Sequence, residues 1–245
     1  MQTDTNLPDP VVSPVAHVPM APVNAPHGHQ ASLDDGLAFV NTLDHERGQP
    51  VERLTSPAMA LHWLHDHSLL HAQTLTAALS AMAADPRAAD KAMSRIRKVR
   101  AAIRELADAA VERRSPQQRH LDEINRSLRT PYTYYLIPAP DGVSLDHRHE
   151  GDPIEGALAR LAESLAREVS QGHPERLRVC ANPDCRWVFS DSSRSGRRKW
   201  CDMNTCGNRA KVARHRQRRK SEADALALGT DGTDAAPTGM VPPDA

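Results

Sequence analysis

Apolar positions recur at helical spacing through most of the middle of the chain. Leu33, Leu37, Val40 and Leu43 form a first short element. Ser56-Pro57 is an N-cap followed by proline at the first helical position; it opens a helix with Leu61, Trp63 and Leu64 that breaks near Ser68. A further helix carries Leu75, Leu79 and Met82 and ends before Pro86. Residues 88–114 give the longest stripe, in which Ala92, Ile96, Val99, Ile103, Leu106 and Ala110 alternate spacings of four and three. Ser115-Pro116 starts a helix with Leu121, Ile124 and Leu128. Asp152-Pro153 caps another with Ile154, Leu158, Leu161, Leu165 and Val169, ended near Gly172 and Pro174. Between these last two, Tyr132–Ile137 and Val143–His147 flank Pro140-Asp141-Gly142, the pattern of a β-hairpin.

The pattern stops at both ends. Residues 1–31 hold six prolines (Pro8, Pro10, Pro14, Pro19, Pro22 and Pro26) and no apolar period; residues 221–245 are similar, and both read as disordered. Only 39% of the 245 residues are hydrophobic and 3% aromatic, so the ordered part packs mostly Leu, Ala, Val and Ile, as helices do. No run of eighteen apolar residues is present, which excludes a membrane-spanning helix. The first Lys or Arg is Arg47, so the start lacks the basic segment of a secretory signal, and the expected compartment is the cytoplasm.

Zero net charge hides an asymmetry: residues 176–220 carry +11 and the remainder −11. All four cysteines, Cys180, Cys185, Cys201 and Cys206, lie in that basic segment. Two close pairs around a fifteen-residue spacer are what a tetrahedral four-cysteine zinc site requires. Four thiolates leave no open coordination position, so the one zinc is structural. Asn182-Pro183-Asp184 is turn chemistry suited to bringing the first two sulfurs together. Arg176–Val179 and Trp187–Ser190 read as short strands, Ser192–Gly196 as a turn, and Asn204 as the cap of a helix running to about Lys220. The layout is similar to treble-clef fingers, with Trp187, Phe189 and Trp200 shielding the metal. The expected fold is therefore mainly α. A helical domain with a short β-hairpin spans 32–172, and a small, separate four-cysteine finger ending in a basic helix spans 176–220.

Trp200-Cys201, Cys206-Gly207-Asn208-Arg209, the first knuckle Cys180-Ala-Asn-Pro-Asp-Cys185-Arg-Trp-Val-Phe and the run from Ala210 to Arg216 together resemble the bacterial CGNR zinc finger family. Members of that family carry an N-terminal helical domain called ABATE. Leu37-Ala-Phe-Val-Asn41-Thr42-Leu-Asp44 and Arg53 through Leu64 resemble its opening segments. The resemblance covers about residues 33–218 and implies a ligand-sensing domain joined to a DNA-binding finger in a stress-related transcription regulator.

The partner this points to is DNA, with nucleoid association when bound. Arg209, Lys211, Arg214, Arg216, Arg218, Arg219 and Lys220 fall within twelve residues free of acids, and Arg198 and Lys199 precede them. Such a helix can enter the major groove, neutralise phosphates and read guanine through an arginine, while Asn208 has the chemistry to read adenine. A structured RNA or the ribosome is the alternative polyanion. A small-molecule effector and a homodimer are the further partners this reading allows. Asn41, Thr42 and Arg47 are the polar candidates for an effector pocket, beside their simpler roles in capping and turns. His62, His65, His67 and His71, like His147 and His149, read as rim histidines; no H-E-x-x-H, phosphate loop or G-x-S-x-G marks an enzyme.

Overall fold

The computed structural model describes residues 31–139 and 142–229. The proline-rich leader up to residue 30, Pro140-Asp141 in the hairpin turn and the tail from residue 230 lie outside the described residues. Six helices form the first domain: α1 (Leu33–Val40), α2 (Pro57–Asp66), α3 (Ala72–Ala84), α4 (Pro86–Glu112), α5 (Gln118–Leu128) and α6 (Pro153–Gln171). Their limits follow local chemistry. Ser32 and Asp35 make a reciprocal capping box at α1, and Ser56, Asp85 and Asp152 cap the three helices that begin with proline. Ser68, at φ 57°, ends α2 as the sequence predicts. α5 differs from its expected start: Ser115-Pro116 belongs to the connection, and the helix begins only after Gln117, which makes no side-chain cap.

α4 and α6 form the centre. Ile96, Val99 and Ile103 of α4 and Leu158, Leu161 and Leu165 of α6 are almost wholly buried, with α1, α2, α3 and α5 packed around them. α1 crosses α6 at Gly36, where a Cβ would collide with the Ser164 hydroxyl. Arg95 ties α4 to its neighbours, pairing with Glu123 of α5 and with Glu155 of α6 at 2.8 Å.

Three antiparallel hairpins are present among the described residues. β3 (Tyr132–Ala139) and β4 (Gly142–His149) pair as the aromatic and β-branched pattern predicts. β1 (Leu43–Glu46) and β2 (Gln49–Glu52) form a short hairpin where sequence periodicity gives no strand; Arg47 (φ 52°) and Gly48 make its turn, and Leu43 starts β1 rather than ending a helix. β5 (Leu177–Val179) and β6 (Val188–Ser190) are the finger's strands.

The finger is not the separate module expected. Leu177 and Val188 are fully buried within the same hydrophobic core as α1, α4 and α6, and the β5–β6 hairpin packs on α4 and α1. The last helix, α7 (Asn208–Gly229), also departs from expectation, since it passes Lys220 and takes in residues assigned to the tail.

Candidate metal centre and nucleic-acid interface

Two tight reversals bring the cysteines together. In the first, the Asn182 carbonyl accepts the Cys185 and Arg186 N–H groups at 2.9 and 3.1 Å, its side chain accepts the Asp184 N–H at 3.2 Å, and Arg186 takes φ 54°. In the second, Asp202 rather than Asn204 is the cap. Its carboxylate accepts the Thr205 N–H and hydroxyl at 2.7 and 2.9 Å, and a single π-helical turn (Met203–Gly207) leads into α7. The reversals are joined by an Ala181 N–H bond to the Lys199 carbonyl at 2.8 Å.

All four Sγ atoms lie within 4.8 Å of one another, with Cys185–Cys201 at 3.6 Å and Cys201–Cys206 at 3.8 Å. These separations are too long for a disulfide. A tetrahedral ion with Zn–S bonds of about 2.3 Å places its sulfurs about 3.8 Å apart. The four cysteines are thus positioned to hold one zinc ion, as the sequence predicts. Burial pushes the Cys185 thiol up to about 12 and raises that of Cys201 too, while hydrogen bonds from Asn182 and the neighbouring cysteines hold Cys206 below its ordinary value. The Asn182 amide donates to Cys206 Sγ at 3.5 Å, orienting that ligand from outside the coordination sphere.

Phe189 and Trp200 pack against the cysteines as expected. Trp187 does not: its indole N–H donates to Asp44 of β1 at 2.7 Å. Beside it, the Asn41 side chain accepts the Val188 N–H and donates to the Val188 carbonyl, both at 2.9 Å and both buried. Asn41 therefore acts as one residue of an extra strand beside β6. Thr42 donates to the Phe39 carbonyl at 2.7 Å and accepts from buried Arg100 at 2.8 Å; Arg100 also makes a bidentate pair with Glu52 of β2. Asn41 is engaged in joining the two halves, Thr42 is tied up within the helical domain, and Arg47 is an exposed turn residue. The nearest cleft, of about 410 Å³, is lined instead by Arg97, Arg100, Arg104 and Arg119 together with Val40, Leu43, Glu105 and Asp108. Sequence reasoning passed over Arg100 because an arginine on a long helix reads as solvent-facing. Its place between Val99 and Ala102, on the stripe's edge, is the only sequence signal.

The basic residues divide. Arg198 lies over the Phe189 ring, 5.0 Å from its centroid, and donates to the Cys201 carbonyl, so it braces the knuckle. Lys199 is exposed, as is every residue from Lys211 to Asp224. Asn208 donates to the Asn204 carbonyl at 3.1 Å. At 100° per residue, Asn208, Arg209, Val212, Arg216 and Arg219 share one face of α7 while Lys211, Arg214 and Arg218 share the other. The first face continues into a shallow groove lined by Asn204, Thr205 and Ala213.

The six histidines singled out in the sequence are also placed. His67 caps α2, pairs with Asp35 at 3.0 Å and stacks on Trp63, while His71 sits beyond the break at the start of α3. The two do not share a helix. His65 bonds the Leu70 carbonyl at 2.9 Å, and His62 is exposed. His147 and His149 are not rim residues: His147 is 9% exposed and both lie against α6.

Compared with known families, residues 36–172 match the model of the ABATE domain, described as "Putative stress-induced transcription regulator". Residues 176–219 match the model of the CGNR zinc finger. No curated protein matches the chain.

Proposed function

This chain belongs to the ABATE family and carries a CGNR zinc finger after that domain, and from that premise we propose that it is a zinc-dependent, DNA-binding transcription regulator of the cytoplasm. The observation that carries the reading is α7. It is a 22-residue helix anchored at one end on the zinc knuckle, with every side chain from Lys211 to Asp224 in solvent. Arg214 and Arg218, and Arg216 and Lys220, are like-charge pairs at i,i+4 that destabilise a free helix and that a phosphate backbone relieves. Val212, half exposed between Arg209 and Arg216, offers an apolar contact of the kind a thymine methyl accepts. In this arrangement Arg209, Arg216 and Arg219 face base edges, and Lys199, Lys211, Arg214 and Arg218 face phosphates. Among the described residues no helix is long and apolar enough to cross a membrane.

The helical domain is the regulatory half of this proposal. Its arginine-lined cleft suits a small anionic effector, and Arg100 connects that cleft through Thr42 to the Asn41–Val188 bonds.

Binding selection from a random duplex library, with and without chelator, tests the reading. A recurrent motif recovered only with zinc is expected, together with an affinity loss of about 10²-fold between about 50 and about 200 mM salt. Arg214→Ala with Arg218→Ala weakens binding to all sequences and keeps the zinc, whereas Arg216→Ala relaxes the motif. Equal affinity after chelation, or tighter binding to structured RNA at matched salt, overturns it.

A further inference from the structure

We propose a second metal site, in the helical domain, formed by His147, His149 and Glu163 for a first-row divalent cation such as zinc. His147 and His149 are two apart on β4 and so share a face of the strand. That face meets α6, where Glu163 lies. A donor atom from each of the three residues lies within 4.8 Å of the other two, and His147 Nε2 is 3.9 Å from Glu163 Oε2. Ligation at about 2.1 Å brings such atoms to about 3.4 Å, a change of the size that side-chain rotation supplies.

A second observation points to a ligand here. Both ring nitrogens of His149 are removed from solvent, with the Thr130 backbone as their nearest hydrogen-bonding neighbour. An imidazole whose nitrogens are shielded from water needs a partner, and a metal ion is one that His147 and Glu163 can share with it. The backbone has been shaped to seat this ring: Gly156 of α6 lies so close that a Cβ would come within 2.8 Å of His149 Cβ. Arg167 holds Glu163 through Oε1, leaving Oε2 toward His147. Tyr132 covers the pair, its ring 5.2 Å from that of His147 and 5.5 Å from that of His149.

Two imidazoles and one carboxylate are a donor set for zinc and its first-row neighbours. Three protein ligands leave a coordination position open, unlike the closed four-sulfur centre. The two sites also differ in class, which makes them separable. Full-length protein with its cysteine centre filled is dialysed against zinc and its metal content measured. About two ions per chain are expected. His149→Ala and Glu163→Gln each return the count to about one with unchanged far-UV circular dichroism, and cobalt in the second site lacks the sulfur-to-metal absorption of the first. Saturation of the wild type at one ion overturns the proposal. So does a second ion that persists in the His147→Ala/His149→Ala variant. Glu163→Gln keeps the side-chain shape and keeps the test decisive where the histidine variants fail to fold.

Discussion

Asn41 is one side chain doing the work of a strand. It meets a buried N–H and a buried C=O of Val188, 147 positions away. Asn41→Ala leaves both groups unpaired and is expected to cost about 2–4 kcal/mol in urea denaturation. Glu52 is the second such residue. Burial pushes its carboxyl up, but the Arg100 guanidinium and the Leu54 N–H outweigh burial and hold it below its ordinary 4.5. A depressed pKa makes this a contribution that is complete above about 4.5 and is lost as the pH falls through the lowered value. Glu52→Gln is expected to flatten the acid limb of a stability–pH profile and to destabilise by about 3 kcal/mol at neutral pH, since buried Arg100 loses its charge partner and keeps only neutral acceptors. At this scale the cysteines were legible in the sequence, because ligand spacing is local. Asn41 was not: a polar residue after an apolar helix reads as a cap until its distant partner is known.

Among the elements, the long helices were read from their stripes and proline starts, and they hold because burial and capping agree. The β1–β2 hairpin was invisible, since Leu43–Glu46 and Gln49–Glu52 are mostly polar strands held by pairing and by the Asp44–Arg53 and Glu46–Arg53 ion pairs. α4 ends on Arg113 in the left-handed region at φ 54°, a conformation that glycine adopts without strain. Arg113→Gly is therefore expected to raise stability by about 0.5–1 kcal/mol, read as a higher denaturation midpoint. α7 behaves oppositely. Little covers it and its like charges repel, so added duplex DNA is expected to increase the helical far-UV signal, and the gain disappears in Arg214→Ala/Arg218→Ala.

For the whole molecule, burial of Leu177 and Val188 in the helical core couples the finger's metal to the stability of both halves. Chelation is expected to do more than loosen residues 176–220: the helical domain should melt at a lower temperature in calorimetry. An unchanged domain transition would mean that β5 and β6 stay docked without zinc. The two halves were legible as units of sequence because their composition differs so sharply. Their union was not, since two apolar residues in a charged segment do not announce which surface they cover. The Asn41 carboxamide makes this finger a poor cassette for exchange: moved onto a foreign sensor, its Val188 peptide would face a surface with no matching donor and acceptor. A functional chimera must bring along α1 and the turn after it, so recombination and protein engineering alike should place their crossover before Ser32 rather than at the obvious joint near Gly172.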